Sequence, residues 1–348
     1  MHKGFWDNLE KPIIAMSPMD GVTDAAYRYI TDKYGTPSIL FTEFTSVEGI
    51  AHGATRLLSP FVHHKSNTPQ VAQIYGANPQ AFYEATFTVC EMGYDGVDIN
   101  MGCPDHNIAK KGCGAGLIRT PQVAYDIIKA VQQAVQDYYD GKNIEDTKLK
   151  PDIISWVKQY RKKNNISNER ILLPVSVKTR IGYDSIVTED WISNLLEAQP
   201  ANISVHGRTL VQMYTGLADW EEIGKAATLI RKTNTSVLGN GDIKSIQEAK
   251  EKTEQYNLDG VLIGRALFGN PWFFKEYEPT HEERIKVAIE HCEKFAEMTP
   301  ELHFLSLRKH LAWYTKGIPG SNDLRRQLMT VQNVEDVKKI FNTTELSN

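Results

Sequence analysis

The chain has 348 residues, 41% of them apolar and 24% charged, the balance of an ordinary soluble globular protein that buries its core without disulfide or metal staples. Lysine plus arginine number 39 against 43 aspartate plus glutamate, a net charge of −4, which excludes nucleic-acid binding through bulk charge but not through a local basic patch. The longest apolar runs, such as 13–16 and 261–263, are too short to span a bilayer, and the opening Met1-His2-Lys3-Gly4-Phe5-Trp6-Asp7 has no apolar signal core, so a cytoplasmic protein without membrane contact is expected.

Between residues 13 and 264, short β-rich runs alternate with longer amphipathic stretches. The runs lie at 13–16, 39–43, 70–75, 96–100, 173–179, 202–206, 236–240 and 260–264. Most are continuous Val/Ile/Leu-type sequence, as in parallel strands buried on both faces. Helical stretches fall at 79–92, 121–138, 189–198, 220–232 and 245–254, and Thr188 before Glu189 and Asp190 reads as a helix cap. Eight such units in one domain-sized span predict an α/β fold, a (β/α)8 TIM barrel rather than an open doubly wound sheet. Residues 44–68 read as a long loop with a short helix. Residues from about 140 to 170 exceed what an economical barrel needs: a turn at Asp140-Gly141-Lys142-Asn143, a helix at 152–163 and a stop at Asn164-Asn165. They read as an insertion on the outer wall. Past Gly264 a short helix precedes Pro271-Trp272, and from His281 onward apolar residues keep helical spacing. The expected division is a catalytic barrel domain, 1–271, and a smaller C-terminal all-helical domain, 272–348.

The four cysteines, Cys90, Cys103, Cys113 and Cys292, form no C-x-x-C pair and no zinc-finger spacing, so free thiols and no metal are expected. Cys90 and Cys292 lie in helical stretches and read as small buried hydrophobes. In a barrel, chemistry sits where strands end. Here the ends carry Ser17-Pro18-Met19-Asp20-Gly21, Gln73, Asn100-Met101-Gly102-Cys103-Pro104, Lys178 with Arg180, His206-Gly207-Arg208-Thr209, Asn240-Gly241-Asp242 and Gly264-Arg265. Each alone is a weak signal; seven in order are a strong one.

Together these segments resemble the tRNA-dihydrouridine synthases, with the bacterial branch the nearest match. Pro18-Met19-Asp20-Gly21-Val22-Thr23-Asp24, Gln73-Ile74-Tyr75-Gly76, Asp98-Ile99-Asn100-Met101-Gly102-Cys103-Pro104 and Val175-Ser176-Val177-Lys178-Thr179-Arg180 carry the resemblance. So do His206-Gly207-Arg208-Thr209, Asn240-Gly241-Asp242-Ile243, Gly260-Val261-Leu262-Ile263-Gly264-Arg265-Ala266 and Arg308-Lys309-His310 with Trp313-Tyr314. It covers nearly the whole chain outside the 140–170 segment. It implies an FMN-dependent NAD(P)H oxidoreductase acting on a CH–CH bond, the C5=C6 bond of specific uridines in tRNA, with NADPH as the reductant. Hydride would pass from flavin N5 to C6 of the uracil, and Cys103 would protonate C5. A thiol suits that task, because its ordinary pKa of about 8.5 keeps it protonated at neutral pH.

The resemblance implies that Pro18, Met19, Asp20 and Gln73 lie beside the flavin ring and Lys178 near its polar edge, where a cation stabilises the reduced form. Asn240, Gly241, Asp242 and Gly264 would offer backbone N–H groups to the phosphate. Arg265 would add a charge-assisted contact and open a helix aimed at the phosphate. His206 is a cofactor contact or a structural histidine. Asn100, Arg180 and Arg208 are candidates for the uracil, with a salt bridge the alternative for Arg180. From 302 to 329 five basic residues, Arg308, Lys309, Lys316, Arg325 and Arg326, face Asp323 alone. Arg308, Lys309, Arg325 and Arg326 are therefore read as tRNA contacts. Trp313 and Tyr314 suit base or sugar packing beside these cations, although such residues are more often the core of a helical bundle. Three positions depart from the usual pattern: Asp20 where alanine is common, Asn107 where lysine is common, and Gly114-Ala115 where Gly-Ser occurs. A flavin barrel acting on a free pyrimidine, like dihydroorotate dehydrogenase, shares the Asn-x-x-Cys-Pro loop but lacks the basic tail. A non-catalytic tRNA-binding protein is the third reading. A monomer is expected.

Overall fold

The computed structural model describes residues 2–318 and 320–343. Eight parallel strands make one sheet: β1 (Ile13–Met16), β2 (Leu40–Ser46), β3 (Gln70–Tyr75), β4 (Gly96–Met101), β5 (Val175–Gly182), β6 (Asn202–Thr209), β7 (Ser236–Asn240) and β8 (Gly260–Ile263). Their order is 1-8-7-6-5-4-3-2, so every strand from β2 to β8 lies beside its sequence neighbour and β1 pairs with β8. The Ser38 N–H donates to the Ile14 carbonyl (3.0 Å) and the Met16 N–H to Ile39 (3.1 Å), which ties β1 to the start of β2. This is the (β/α)8 barrel that the apolar runs predict. Every residue of β4, β6, β7 and β8 is buried, because side chains fill the barrel on one face and meet helices on the other. Gly260 is required at the β1–β8 seam: a Cβ there would stand 1.9 Å from the Ile13 carbonyl oxygen.

Several boundaries differ from the sequence reading, and the differences move chemistry. β5 begins at Val175, since Pro174 has no N–H for the ladder. β5 and β6 run on to Gly182 and Thr209, pairing Arg180 with His206 and Gly182 with Thr209. Arg180, His206 and Arg208 are thus strand residues, held by sheet hydrogen bonds rather than by loops. β2 continues through a register shift between Phe41 and Phe44 to Ser46. The expected loop at 44–68 is therefore strand, then a short helix (Val47–Ala51) and a 3-10 turn (Thr55–Phe61).

The outer helices start where local chemistry caps them. Asn78 accepts from the Gln80 and Ala81 N–H groups ahead of Pro79–Glu91, Asp219 caps Trp220–Ile230, and Ser245 caps Ile246–Gln255. Thr188 is not a cap: it is the first residue of Thr188–Glu197, and its hydroxyl donates to Glu222 at 2.6 Å. Within the 140–170 segment, the helix Pro151–Asn164 ends on the left-handed Asn165. It buries Ile153, Val157 and Tyr160 against Pro79–Glu91 and the turn Thr55–Phe61 on the outer wall.

After β8 the expected helix is only the 3-10 turn Arg265–Leu267, stopped by Gly269 (φ +68°) and Pro271. The helices His281–Met298, Arg308–Tyr314, Ser321–Leu328 and Val334–Thr343 follow. Their core of Val287, Ala288, Cys292, Phe295, Leu311, Tyr314, Leu324, Leu328 and Val337 includes Ala26 and Ile30, which belong to the first barrel helix, Ala25–Gly35. Lys33 and Tyr34 of that helix bond Glu290 at 2.7 and 2.6 Å. Residues 319 and 344–348 of the expected helical domain lie outside the described residues. Among the described residues, no helix is long and apolar enough to cross a membrane, and no three His, Cys, Asp or Glu side chains group as metal ligands.

Candidate active site

A chain of buried hydrogen bonds runs across β3, β4 and β5 to the Cys103 loop. Asp98 accepts from Gln73 Nε2 (2.6 Å) and from Ser176 Oγ (2.6 Å). Gln73 Oε1 accepts from Asn100 Nδ2 (2.9 Å), which fixes the Asn100 amide. Asn100 Oδ1 then accepts from the N–H groups of Gly102 (3.0 Å) and Cys103 (2.8 Å). Burial pushes the Asp98 pKa up to about 6, while Gln73, Ser176 and Lys178 act against the shift, so the carboxylate stays charged at pH 7. Asn100 and Gln73 thereby shape the loop, each with one amide N–H left to offer.

Cys103 is buried and free. Burial raises its thiol pKa, as do the charges of Asp20 and Asp105, while the Asp105 backbone N–H and Arg180 oppose the rise. The thiol is protonated at neutral pH. Cys113 is also free and is pushed up to about 11, by burial first and Glu48 next. The loop folds back so that the Ala115 N–H reaches the Cys103 carbonyl (3.2 Å). A Cβ at Gly114 would meet Cys103 Cβ at 3.0 Å.

Cations converge on the β5, β6 and β8 side of the mouth. Burial lowers the Lys178 pKa to about 8, and Arg180 adds to the shift while Asp98 and Cys103 oppose it. Its amine has no hydrogen bond or ion pair among the described residues. Arg180 is buried, with Nε donating to the Gly102 carbonyl (2.6 Å) and Nη1 to Thr209 (3.1 Å). Among the described residues no carboxylate pairs with it, and burial lowers its pKa to about 10. Arg208, 1% exposed, gives Nη2 to Asp242 (2.6 Å) and to the Gly216 carbonyl (2.7 Å), Nε to Thr215 (3.3 Å) and Nη1 to His206 Nε2 (3.2 Å). An arginine only donates, so His206 Nε2 is the acceptor and the ring is neutral. Burial, followed by Arg180, Lys178, Arg208 and Arg265, holds His206 well below its ordinary pKa.

Strands β7, β8 and β1 complete the rim. Asn240 Nδ2 donates to the Leu262 carbonyl (3.0 Å). Gly241 (φ +140°) and Asp242 (φ +61°) follow in left-handed backbone, and a Cβ at Gly241 would strike Ala218 at 2.4 Å. The Asp242 carboxylate binds Arg208 and Arg265, both at 2.6 Å, leaving its backbone rather than its side chain for a ligand. Gly264 lies under Met19, whose Sδ would be 3.7 Å from a Cβ there. Pro18 follows Ser17, whose N–H bonds Ile263 (2.8 Å), and Met19 accepts from the N–H groups of Val22 and Thr23. Asp20 has its pKa raised by burial, with Lys309 opposing.

Sequence reasoning missed Glu43, on β2 beside the Asp20–Gly21 turn. Burial pushes it up to about 8 and the charges of Asp24 and Asp20 act the same way, so at pH 7 it is mostly a neutral acid. Its signal was a lone carboxylate in the apolar run Leu40-Phe41-Thr42-Glu43-Phe44.

The tail residues do not gather at one place. Lys309 reaches the mouth, its Nζ 2.7 Å from where a Gly21 Cβ would stand. Arg308 turns inward and gives Nε and Nη2 to the Val331 carbonyl (3.1 and 2.8 Å). Arg325 bonds Thr315 Oγ1 (3.1 Å) and lines a cleft of about 720 Å³ with Arg265, Arg284, Lys316 and Trp313. Phe268 and Trp313 stack in that wall, centroids 4.0 Å apart, so Trp313 is a half-buried wall and Tyr314 a core residue. Arg326 is exposed and pairs with Asp323. Arg265 belongs to both the mouth and the cleft.

The protein is a parallel (β/α)8 barrel whose mouth brings together a protonated thiol, a lysine with no hydrogen bond or ion pair among the described residues, and the buried guanidiniums of Arg180 and Arg208. Sequence comparison is more specific: residues 14–142 and 150–347 match the family described as Dihydrouridine synthase (Dus). The chain belongs to the dihydrouridine synthase family. Between 14 and 347 the match omits 143–149 alone, so most of the segment read as an insertion lies within the family's shared length. A probable tRNA-dihydrouridine synthase of Staphylococcus epidermidis is 33% identical over 355 residues, covering 99% of this chain and 97% of that one. A probable tRNA-dihydrouridine synthase 2 of Bacillus subtilis is 30% identical, covering 99% and 98%. Among solved structures, DHODH from Eimeria tenella in complex with ferulenol is similar at 13% identity and a TM-score of 0.40, over 73% of this chain and 62% of that one.

Proposed function

We propose that this protein is a tRNA-dihydrouridine synthase that reduces the C5=C6 bond of uridine in tRNA with bound FMN and NADPH. In this reading it works as a cytoplasmic monomer without metal, residues 1–271 forming the catalytic unit and 272–348 the tRNA-binding one. The observation that carries the reading is the pairing of a protonated Cys103 with an unpartnered, partly neutralised Lys178 in one mouth. The residues present suit a flavin mononucleotide. Lys178, Arg180, Arg208 and Arg265 outnumber Asp98 and Asp242, and that surplus suits a phosphate and an electron-rich ring.

Asn240, Gly241, Asp242, Gly264 and Arg265 would hold the phosphate, with Pro18, Met19, Asp20, Gln73, His206 and Lys178 around the ring. When bound, the flavin supplies a hydride to the uracil. Cys103 holds the proton for uracil C5 at Sγ, and Asn100 keeps it in place through the Cys103 N–H. Arg180 fixes the Gly102 carbonyl and so the loop's far side. Lys178 gains full charge when an anion enters, because its pKa near 8 rises beside negative charge. The cleft between Arg265 and Arg325 favours RNA over a free pyrimidine, for it extends cationic surface past the mouth.

Heat release of the cofactor followed by chromatography should give FMN. Nucleoside mass spectrometry of tRNA from a deletion strain should show dihydrouridine lost at one or more positions. A protein that takes up no flavin even when FMN is added, or an unchanged tRNA profile, overturns the reading.

A further inference from the structure

The loop after β6 has its backbone fixed from inside and its large apolar side chains outside. Arg208 holds the carbonyls of Thr215 and Gly216, and Arg180 that of Thr209. Gln212 Oε1 accepts from the Thr209 N–H (2.7 Å), the Thr215 N–H bonds the Gln212 carbonyl (2.7 Å), and Asp242 accepts from Ala218 (2.8 Å). The loop also rests on its neighbour, with the Leu210 and Val211 N–H groups on the Gly182 and Tyr183 carbonyls (3.0 and 3.1 Å). Yet Val211, Tyr214 and Leu217 are 59%, 61% and 82% exposed. Two buried guanidiniums thus stabilise a geometry that turns three apolar groups toward water. Folding alone gives no return for that arrangement, since exposed apolar surface gains nothing.

What meets the loop is set by its position and charge. Its anchors, Arg180 and Arg208, are also walls of the mouth. The Arg265 guanidinium lies over the Tyr214 ring, 5.9 Å from its centroid, and the Tyr214 hydroxyl is near enough to Arg180 to affect its protonation. An aromatic face bordered by two cations at the entrance of the site matches a nucleobase attached to phosphate. We infer that residues 211–217 are a preformed stacking platform for unpaired nucleotides of the RNA that flank the extruded uridine. The inference rests on the proposed tRNA substrate. Extruding a base leaves its neighbours without stacking partners, and a rigid apolar surface replaces part of what they lose. Rigidity matters because a loop ordered only on binding would lose the same free energy in entropy.

The test is equilibrium binding of an unmodified tRNA transcript across a salt series. Tyr214→Ala should weaken binding roughly five- to a hundredfold, as removal of a stacked base does, with Leu217→Ser adding to it. The salt slope should stay that of wild type, because stacking releases no counterions. Tyr214→Phe should restore affinity, and Ile171→Ser, exposed but away from the mouth, should bind as wild type. Affinity unchanged in Tyr214→Ala and Leu217→Ser overturns the inference. So does a wild-type dimer that Leu217→Ser makes monomeric without altering tRNA affinity, for the patch then joins two copies of the chain. Wild type failing to bind tRNA is a separate result that removes the parent reading instead.

Discussion

The barrel mouth and the helical segment both carry buried and exposed basic groups, but they use them in opposite ways. At the mouth, Arg180 and Arg208 are almost wholly buried and held by backbone carbonyls, so their positions are fixed before any ligand arrives. In the helical segment the buried nitrogen bases are neutral. His291 and His310 lie in contact, centroids 5.0 Å apart, and burial holds both well below the ordinary imidazole pKa. Of the segment's charges, Lys316 and Arg326 sit at its surface and Arg325 at the edge of the cleft, while Arg308 is tied to the Val331 carbonyl and Lys309 reaches the mouth. Charge that positions is inside and tethered; charge that attracts a polyanion is outside and screened by salt.

The largest effect that sharpens this contrast is at Cys103. Cys103→Ala should lower dihydrouridine formation by roughly 10² to 10⁴-fold, the usual worth of a positioned acid. Anaerobic bleaching by NADPH should persist, and Cys113→Ala should resemble wild type in both half-reactions. If tRNA reoxidises the Cys103→Ala protein at the wild-type rate, Cys113 replaces it as the residue to test. Next comes Asn100→Ala, which leaves the Gly102 and Cys103 N–H groups without an acceptor at about 1–3 kcal/mol each. It should lower the melting temperature and slow reoxidation by tRNA. A fully active, equally stable variant would mean that the mouth does not depend on its hydrogen-bond chain.

A smaller effect belongs to the surface. Replacing Arg325 and Arg326 with alanine should weaken tRNA binding several-fold and reduce the salt slope by about 0.9 for each duplex phosphate that is no longer neutralised. Arg325 should account for most of it, since Arg326 is already paired with Asp323. Loss of NADPH-driven bleaching in that variant would show that the helical segment serves the mouth directly.

The smallest effect is a pH dependence of stability. His291 is held down to about 3 by burial, below its ordinary 6.5, so from pH 6.5 downward the unfolded chain binds a proton that the folded one refuses. Stability from this group is complete above pH 6.5 and falls by up to about 1.4 kcal/mol per pH unit toward pH 3. Asp24 and Asp98, raised to about 6 by burial, act in the opposite sense, losing stability as pH rises from about 4 to 6. Urea melts at pH 7 and 5 should therefore show a larger loss in wild type than in His291→Leu. Equal losses would show that the buried histidines reach water.

Strand order and the Cys103 loop were legible because a strand buried on both faces must be continuously apolar, and a Gly-Cys-Pro turn at its end interrupts that run. Side-chain commitments were not. Arg308 and Arg326 count equally in a charge tally, yet one is tied to the Val331 carbonyl and the other faces solvent. Glu43 becomes a neutral acid because the fold buries it, and Asp24 and Asp20, some twenty residues earlier, add to the shift. The expected helix at Arg265 failed to form because Gly269 and Pro271 lie within two turns of its start.

The shared core of the first barrel helix and the last helices has a consequence for synthesis on the ribosome. Ala26 and Ile30 are covered by Val287, Ala288 and their neighbours, and β1 completes its pairing on β8. The earliest part of the chain must wait for nearly the latest. At about 5–20 residues per second, the stretch of roughly 250 residues between them takes on the order of 12–50 s to make. Throughout that interval an apolar helix face and an unpaired strand edge are open to other chains. Truncation after the barrel would let β1 pair with β8 but leave the helix face open permanently.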